Sequence, residues 1–275
     1  MSAQRGTVAA VSRNDAYTFT KPNRDEIVLV AGLGVAGDIH AGVNVRHRSR
    51  VRADPAQPNL RQVHLIQGEL FEEVAGKGYE VPAGGLGENV TTSGLDLLGL
   101  PRGTILRFGA PGDAGGSAPG AAAGNARGEA AGNARGAVAG NARGEAIGSA
   151  AGGASEGAPG GAAHPVGPVL AAAAAATLDE ATARAAEAVA AAVKRDETAT
   201  DDRPAIVLAG LRNPCQQING FRSGLLKEVL GQDEQGNVVR KAGVMAVVLR
   251  GGPVRPGDPV AVELPPGPHG ALERV

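Results

Sequence analysis

The sequence predicts a mainly β protein: a β-barrel with a few short helices, interrupted by a low-complexity insertion. Three observations carry that expectation. First, short apolar runs rich in β-branched residues recur in both ends of the chain: GTVAAVS from 6, EIVLVAG from 26, RQVHLI from 61, TILRFG from 104, AIVLAG from 205, GVMAVVL from 243 and DPVAVEL from 258. Gly and Pro turns separate them. Second, LPRGTILRF and VRPGDPVAVEL each place a Pro-x-Gly or Pro-Gly turn directly before an alternating strand, which suits a closed or nearly closed barrel. Third, the composition changes sharply near 111, and from there to about 168 the chain is mostly Gly, Ala, Ser and Pro. Such a stretch cannot bury enough surface to offset the entropy of ordering it.

The chain therefore divides into a first barrel part at 1–110, an insertion at 111–203 and a second barrel part at 204–275. Two short helices are expected within the barrel parts. QGELFEEVAGKG at 67–78 carries Leu70, Phe71 and Val74 on one face, and FRSGLLKEVLG at 221–231 carries Leu225, Leu226 and Val229. Inside the insertion the octet GNARGEAA at 124 returns as GNARGAVA at 132 and GNARGEAI at 140. The repeat has no apolar face and is expected to be disordered. The stretch VLAAAAAATLDEATARAAEAVAAAVKRDE that follows Pro168 favours helix. It has high intrinsic propensity, a capping-box spacing from Thr177 to Glu180 and a Glu180/Arg184 pair. Its apolar face is mostly alanine, so the expectation is a weakly docked or free helix belonging to the insertion.

Composition excludes several function classes. A formal net charge of −1 over 275 residues removes the broad electrostatic reason to expect nucleic acid or an anionic membrane as partner. A single cysteine forms no internal disulfide and no multi-cysteine zinc site. The start, MSAQRGTVAAV, lacks the apolar stretch of a signal peptide, so a cytoplasmic location is the expectation. Aromatics make up only 2% of the chain, so the core must be built from Val, Leu, Ile and Ala.

One motif fails on inspection. GLGVAG at 32–37 fits G-x-G-x-x-G, but dinucleotide binding needs an apolar-periodic helix after the third glycine. The polar, Arg-rich DIHAGVNVRHRSRVRADP stands there instead.

Other segments carry chemistry. GDIHAG at 37–42 sets Asp38 and His40 two apart. Either the carboxylate orients the imidazole, or Asp38 caps backbone amides in a turn. Arg46, His47, Arg48, Arg50 and Arg52 follow, as an anion-binding or a solvated basic loop. In RQVHLI, Arg61, Val63 and Leu65 face one way and Gln62, His64 and Ile66 the other. GLGENVTT at 85–92 offers Glu88 and Asn89 on a flexible backbone, as a ligand loop or a tight turn. In GLRNPCQQI at 210–218, Pro214 stiffens the segment that delivers Cys215, and Arg212 lies three residues before the thiol. A nearby guanidinium favours the thiolate, the form that attacks sulfur or binds soft metals. An inert buried thiol is the alternative.

Taken together and in this order, GDIHAG, RQVHLI, GLGENVTTSGLDLLGLPRGTILRFG, GLRNPCQQI and GGPVRPGDPV closely resemble the MOSC domain found at the C-terminus of molybdenum cofactor sulfurases. The resemblance covers nearly the whole chain outside 111–203. It implies a β-barrel with a few helices, and a pocket for the molybdenum cofactor, a molybdopterin. It implies that Cys215 carries or transfers sulfur or ligates molybdenum, and that Arg212, Asp38, His40, Arg61, Glu88 and Asn89 line the same pocket. The partners it implies are a sulfur donor such as a cysteine desulfurase and a molybdoenzyme acceptor. No pyridoxal-phosphate desulfurase domain precedes the barrel, so pyridoxal phosphate is not expected in this chain and any sulfur comes from elsewhere. Two other readings are a molybdenum-dependent reductase of N-hydroxylated compounds and a non-catalytic cofactor carrier or insertion chaperone.

Overall fold

The computed structural model of the protein describes residues 5–112 and 164–275. The Gly/Ala-rich octet repeats, expected to be disordered, lie outside the described residues. The first part runs through strands β1 (Arg5–Ser12), β2 (Asn23–Arg24), β3 (Ile27–Val30) and β4 (Gly34–Val35), then helix α1 (Arg48–Ala53). Strand β5 (Val63–Gln67), helix α2 (Glu69–Ala75) and strands β6 (Val90–Ser93) and β7 (Ile105–Phe108) complete it. The second part begins with helices α3 (Gly167–Ala175) and α4 (Glu180–Glu197), strand β8 (Ala205–Leu211), and helices α5 (Gln217–Phe221) and α6 (Leu225–Val229). Strands β9 (Leu230–Gln232), β10 (Val238–Arg240), β11 (Val244–Arg250), β12 (Gly252–Val254) and β13 (Pro259–Glu263) end it.

Seven of these strands close a barrel in the order β13, β7, β8, β11, β5, β6, β1, and β1 pairs back to β13 through Arg5 with Ala261 and Thr7 with Pro259. Closure removes the free sheet edges that invite aggregation. The one parallel neighbour pair among the barrel strands is β5 with β6. Such a pair needs a crossover, and α2 and the 76–89 loop supply it. All seven runs singled out in the sequence form strands. Strand β6 does not belong to that set: its VTTS follows the Gly-rich turn that had drawn attention to Glu88 and Asn89.

The barrel interior holds Val8, Val63, Leu65, Val90, Leu106, Phe108, Ile206, Leu208, Val244, Ala246, Val248 and Val260, all essentially inaccessible. A seven-strand barrel encloses a narrow space, which aliphatic side chains fill with one aromatic among them.

The alanine-rich segment is not an appendage, and the weakly docked or free helix is corrected here. Val169 and Ala173 of α3, with Ala185, Val189, Ala192 and Val193 of α4, pack on the outer face of β7, β8 and β11 against Ile105, Val207 and Val247. Those strands are thus buried on both faces, which is why β8 and β11 read as nearly unbroken apolar runs rather than alternating ones. Small side chains on α4 let its backbone approach the sheet closely. Ion pairs lock it there: buried Asp196 takes Arg107 at 2.8 Å and Arg250 at 3.1 Å. The segment also forms two helices rather than one, and the capping box moves. Ala176 is extended, and Asp179 rather than Thr177 is the N-cap, its side chain accepting from the Thr182 amide at 2.8 Å. Aspartate is among the best N-caps because its carboxylate satisfies an otherwise orphaned amide. From residue 164 onward the chain groups with the barrel.

Helix α2 buries Leu70 and Val74, and α6 buries Leu225 and Val229, around a third apolar cluster with Ile66 and Leu86. No helix among the described residues is long and apolar enough to cross a membrane.

Candidate functional site

At one end of the barrel, turns and strand ends surround a cavity of about 160 Å³. Two positions make its wall possible. Gly87, at φ +79°, lets the wall run so close to Phe19 that an added Cβ would stand 2.6 Å from the Phe19 carbonyl. Gly243, at φ +93°, lies so near the Leu65 carbonyl that a Cβ would sit 2.1 Å away. The Gly243 carbonyl in turn accepts the Arg212 amide at 3.0 Å, fixing where the chain just after β8 delivers the Arg212 side chain to the cavity.

Asp38 is the hub behind one wall. Its Oδ2 takes Lys21 Nζ at 2.7 Å and Asn89 Nδ2 at 2.9 Å, while Oδ1 takes the His40 amide at 3.0 Å and contacts His40 Nδ1 at 3.2 Å. The segment is a turn capped by Asp38 rather than an extended strand, and the same carboxylate also orients the imidazole. Burial by itself would raise the Asp38 carboxyl, but the His40 hydrogen bond and the Lys21 ammonium hold it well below the ordinary carboxylate range. A carboxyl depressed in the fold contributes stability above its unfolded pKa and loses it as pH falls through the folded value. Wild-type stability should therefore decline with acid from about pH 4 downward, and Asp38→Asn should lack that part of the decline. Urea midpoints against pH test this: equal acid slopes in the two proteins would remove Asp38 from the account.

Glu88 and Asn89 are committed to the fold. Glu88 is fully buried, accepting from the Gly84 and Leu86 amides and the Thr91 hydroxyl, and burial raises its carboxyl above the usual range. It pins the turn that delivers β6. Asn89 lines the cavity, but its amide donates to the Ser12 carbonyl and to Asp38, and its oxygen accepts from the His64 amide. Among the residues singled out in sequence, His40, Arg61, Asn89 and Arg212 line the cavity, whereas Asp38 and Glu88 stand behind its wall.

The cavity wall is cationic. Lys21, Arg46, Arg48, Arg61 and Arg212 line it, and among the described residues no Asp or Glu does. Arg212 is 8% exposed, and its Nη1 is buried with no hydrogen-bond partner. Burial lowers its pKa, against the fields of Cys215 and Glu88. Burial, with Arg50 and Arg212 nearby, pushes Arg61 down to about 9, still charged at neutral pH. One Arg61 Nη donates to the Val275 carbonyl. His64 donates Nε2–H to the Ala242 carbonyl at 2.7 Å, and burial holds it neutral. Tyr17, Phe19, Leu86 and Met245 supply an apolar side. The Arg48 guanidinium lies 4.6 Å over the Tyr17 ring, and Arg212 lies 5.8 Å from the Phe19 centroid.

Cys215 is half-buried and free, its Sγ 3.5 Å from Oε1 of Gln217, a residue of the cavity wall. Arg212 and Arg61 both lie within electrostatic reach of it. The Pro-Cys segment between β8 and α5 therefore brings the thiol beside the cationic cavity. Sequence reasoning missed Lys21, Tyr17 and Phe19. They sit in YTFTKPN at 17–23, which has no motif, and only the pairing of β1 and β2 brings that loop to Asp38. His64 was visible on the polar side of its strand but was not read as part of a site.

No family model matches the chain, and no curated protein matches it. Among solved structures, the YuaD protein from Bacillus subtilis is similar with a TM-score of 0.52 and 16% identity, over 95% of this chain and 97% of that one. YiiM from Escherichia coli gives a TM-score of 0.42 at 13% identity, over 96% of this chain and 73% of that one. YiiM from Geobacillus stearothermophilus gives 0.42 at 10%, over 94% and 75%. The likeness to YuaD is one of fold alone.

Proposed function

We propose that this is a MOSC-type protein that binds the molybdenum cofactor in the cationic cavity and uses Cys215 to carry or transfer sulfur or to ligate the metal. One observation carries the reading: a buried, unpartnered guanidinium nitrogen of Arg212 in a wall without carboxylates, beside the protein's single free thiol. A buried cation with an open donor is costly unless an anionic ligand completes it. Arg212, Arg61 and Lys21 fit phosphate and pterin oxygens, the guanidinium forks matching such acceptors in two-point contacts. The Tyr17, Phe19 and Met245 side fits a planar ring. Among the described residues no group of three or more His, Cys, Asp or Glu forms a metal cage, so a metal here would arrive held by its own organic ligand, with Cys215 as the soft protein donor. When bound, such a group supplies a sulfur-ligated, redox-active metal. Asp38, Glu88 and Asn89 hold the walls rather than the ligand.

The experiment is metal analysis and intact mass of protein purified from a host that makes the cofactor, beside Cys215→Ala. Wild type should contain molybdenum and pterin, or a sulfur adduct of about 32 Da; the alanine variant should lack the adduct and retain less metal. Absence of both species from wild type in a host shown to supply them would overturn the reading. Turnover of an N-hydroxylated compound with an artificial electron donor would instead favour the reductase. Cofactor handover that survives Cys215→Ala would favour the carrier.

A further inference from the structure

His47 is an ionisable group of the cavity, beside His40, to which the proposed function gives no task. It lines the cavity half-buried, its ring 5.3 Å from that of His40 and tilted by 31°. The charged groups facing it are all cations: Arg50 from α1, Arg61 ahead of β5 and Arg212 after β8. Asp38, behind His40, is already committed to Lys21, His40 and Asn89. His47 thus has cations around it and no carboxylate to stabilise a charged ring. Burial, then Arg61, His40 and Arg212, push its pKa down to about 4. The same geometry reverses once negative charge enters. An oxyanion satisfying the open Nη1 of Arg212 would offset the cationic repulsion that adds to burial in keeping His47 neutral.

We propose that the cavity takes up a dianionic oxyanion group together with one solvent proton, which resides on the His47 ring. The inference rests on the cationic-cavity reading and adds its proton linkage. Thermodynamic reciprocity gives the sign. Anion binding raises the His47 pKa, so affinity strengthens as pH falls through the bound-state value toward the free value of about 4. Within that window the change approaches about tenfold per pH unit. Above it, affinity depends on Arg61 and Arg212 alone and is flat.

The test is calorimetric titration of cofactor-free protein with inorganic sulfate, which stays dianionic across about pH 5 to 8, in two buffers of different ionisation enthalpy. Wild type should take up a fraction of a proton with each sulfate, the fraction growing as pH is lowered from about 8 to 5, and bind more weakly as pH rises. His47→Gln should still bind sulfate, with a flat pH profile and little uptake. No sulfate binding, no uptake in wild type, or equal uptake in His47→Gln would each overturn the proposal. If the variant fails to fold, the histidine ring resonances of wild type decide: sulfate should raise the titration midpoint of one of the five histidines, and an unchanged set of midpoints overturns the idea. Proton-linked sulfate binding in a protein that never carries molybdenum would sink the cofactor reading alone. Molybdenum retention without proton linkage would sink only this inference.

Discussion

Replacing Asp196 with alanine is expected to lower the stability of the fold by about 3 to 5 kcal/mol, the usual cost of stranding a buried charge. Asp196 is 2% exposed and stands between Arg107 and Arg250, and the Arg107 side chain is itself only 4% exposed. Glu263, at 3.2 Å from Arg107, and Asp201, at 3.7 Å, are only half-buried and are weaker partners. Against a total stability of about 5 to 15 kcal/mol for a typical domain, that loss is a large part of the whole. The contrast lies on the same helix. Glu180 pairs with Arg184 at the exposed start of α4, and Glu180→Ala should cost no more than about 0.5 kcal/mol. Urea unfolding of the two variants side by side measures the difference. Equal small losses would mean that α4 is held by its alanine and valine contacts rather than by the buried ions.

Arg212→Met is expected to separate stability from binding. Methionine keeps the apolar stem and removes a buried guanidinium that has an orphaned donor, so folding stability should stay level or rise by about 1 kcal/mol. Capture of an anionic ligand should fall about a hundredfold or more, the scale set by truncating one member of a desolvated charge pair. Thermal unfolding together with the sulfate dissociation constant reads both. A destabilised variant that still binds would show Arg212 to be a structural cation satisfied by Glu88, and would remove the main support for the cofactor reading.

Six of the seven barrel strands were legible because their runs are short, rich in branched aliphatics and bounded by Gly or Pro. Strand β6 was not, because VTTS is four residues long and is preceded by glycines that look like a loop. The docking of α4 was hidden for a different reason. An alanine face looks weak when scored on its own helix, but its value depends on the flat β7, β8 and β11 surface it meets and on Asp196 reaching Arg107, 89 residues away in sequence. In the site, the spacing marked Arg212 and Cys215 as candidates, and the structure brings them within electrostatic reach. That Glu88 would be consumed by its own turn could not be read from spacing.

By itself the sequence determined seven of the segments that become strands, where the low-complexity stretch interrupts them, and that one thiol follows a proline three residues after an arginine. These are local properties, written in propensity, turn chemistry and periodicity within a few residues. The tertiary structure decided which polar side chains are used up holding the walls and which remain open. Satisfaction of a buried charge depends on partners brought from distant strands: Lys21 meets Asp38, and the Nη1 of Arg212 meets none. That difference exists only once the barrel has closed and water has been excluded.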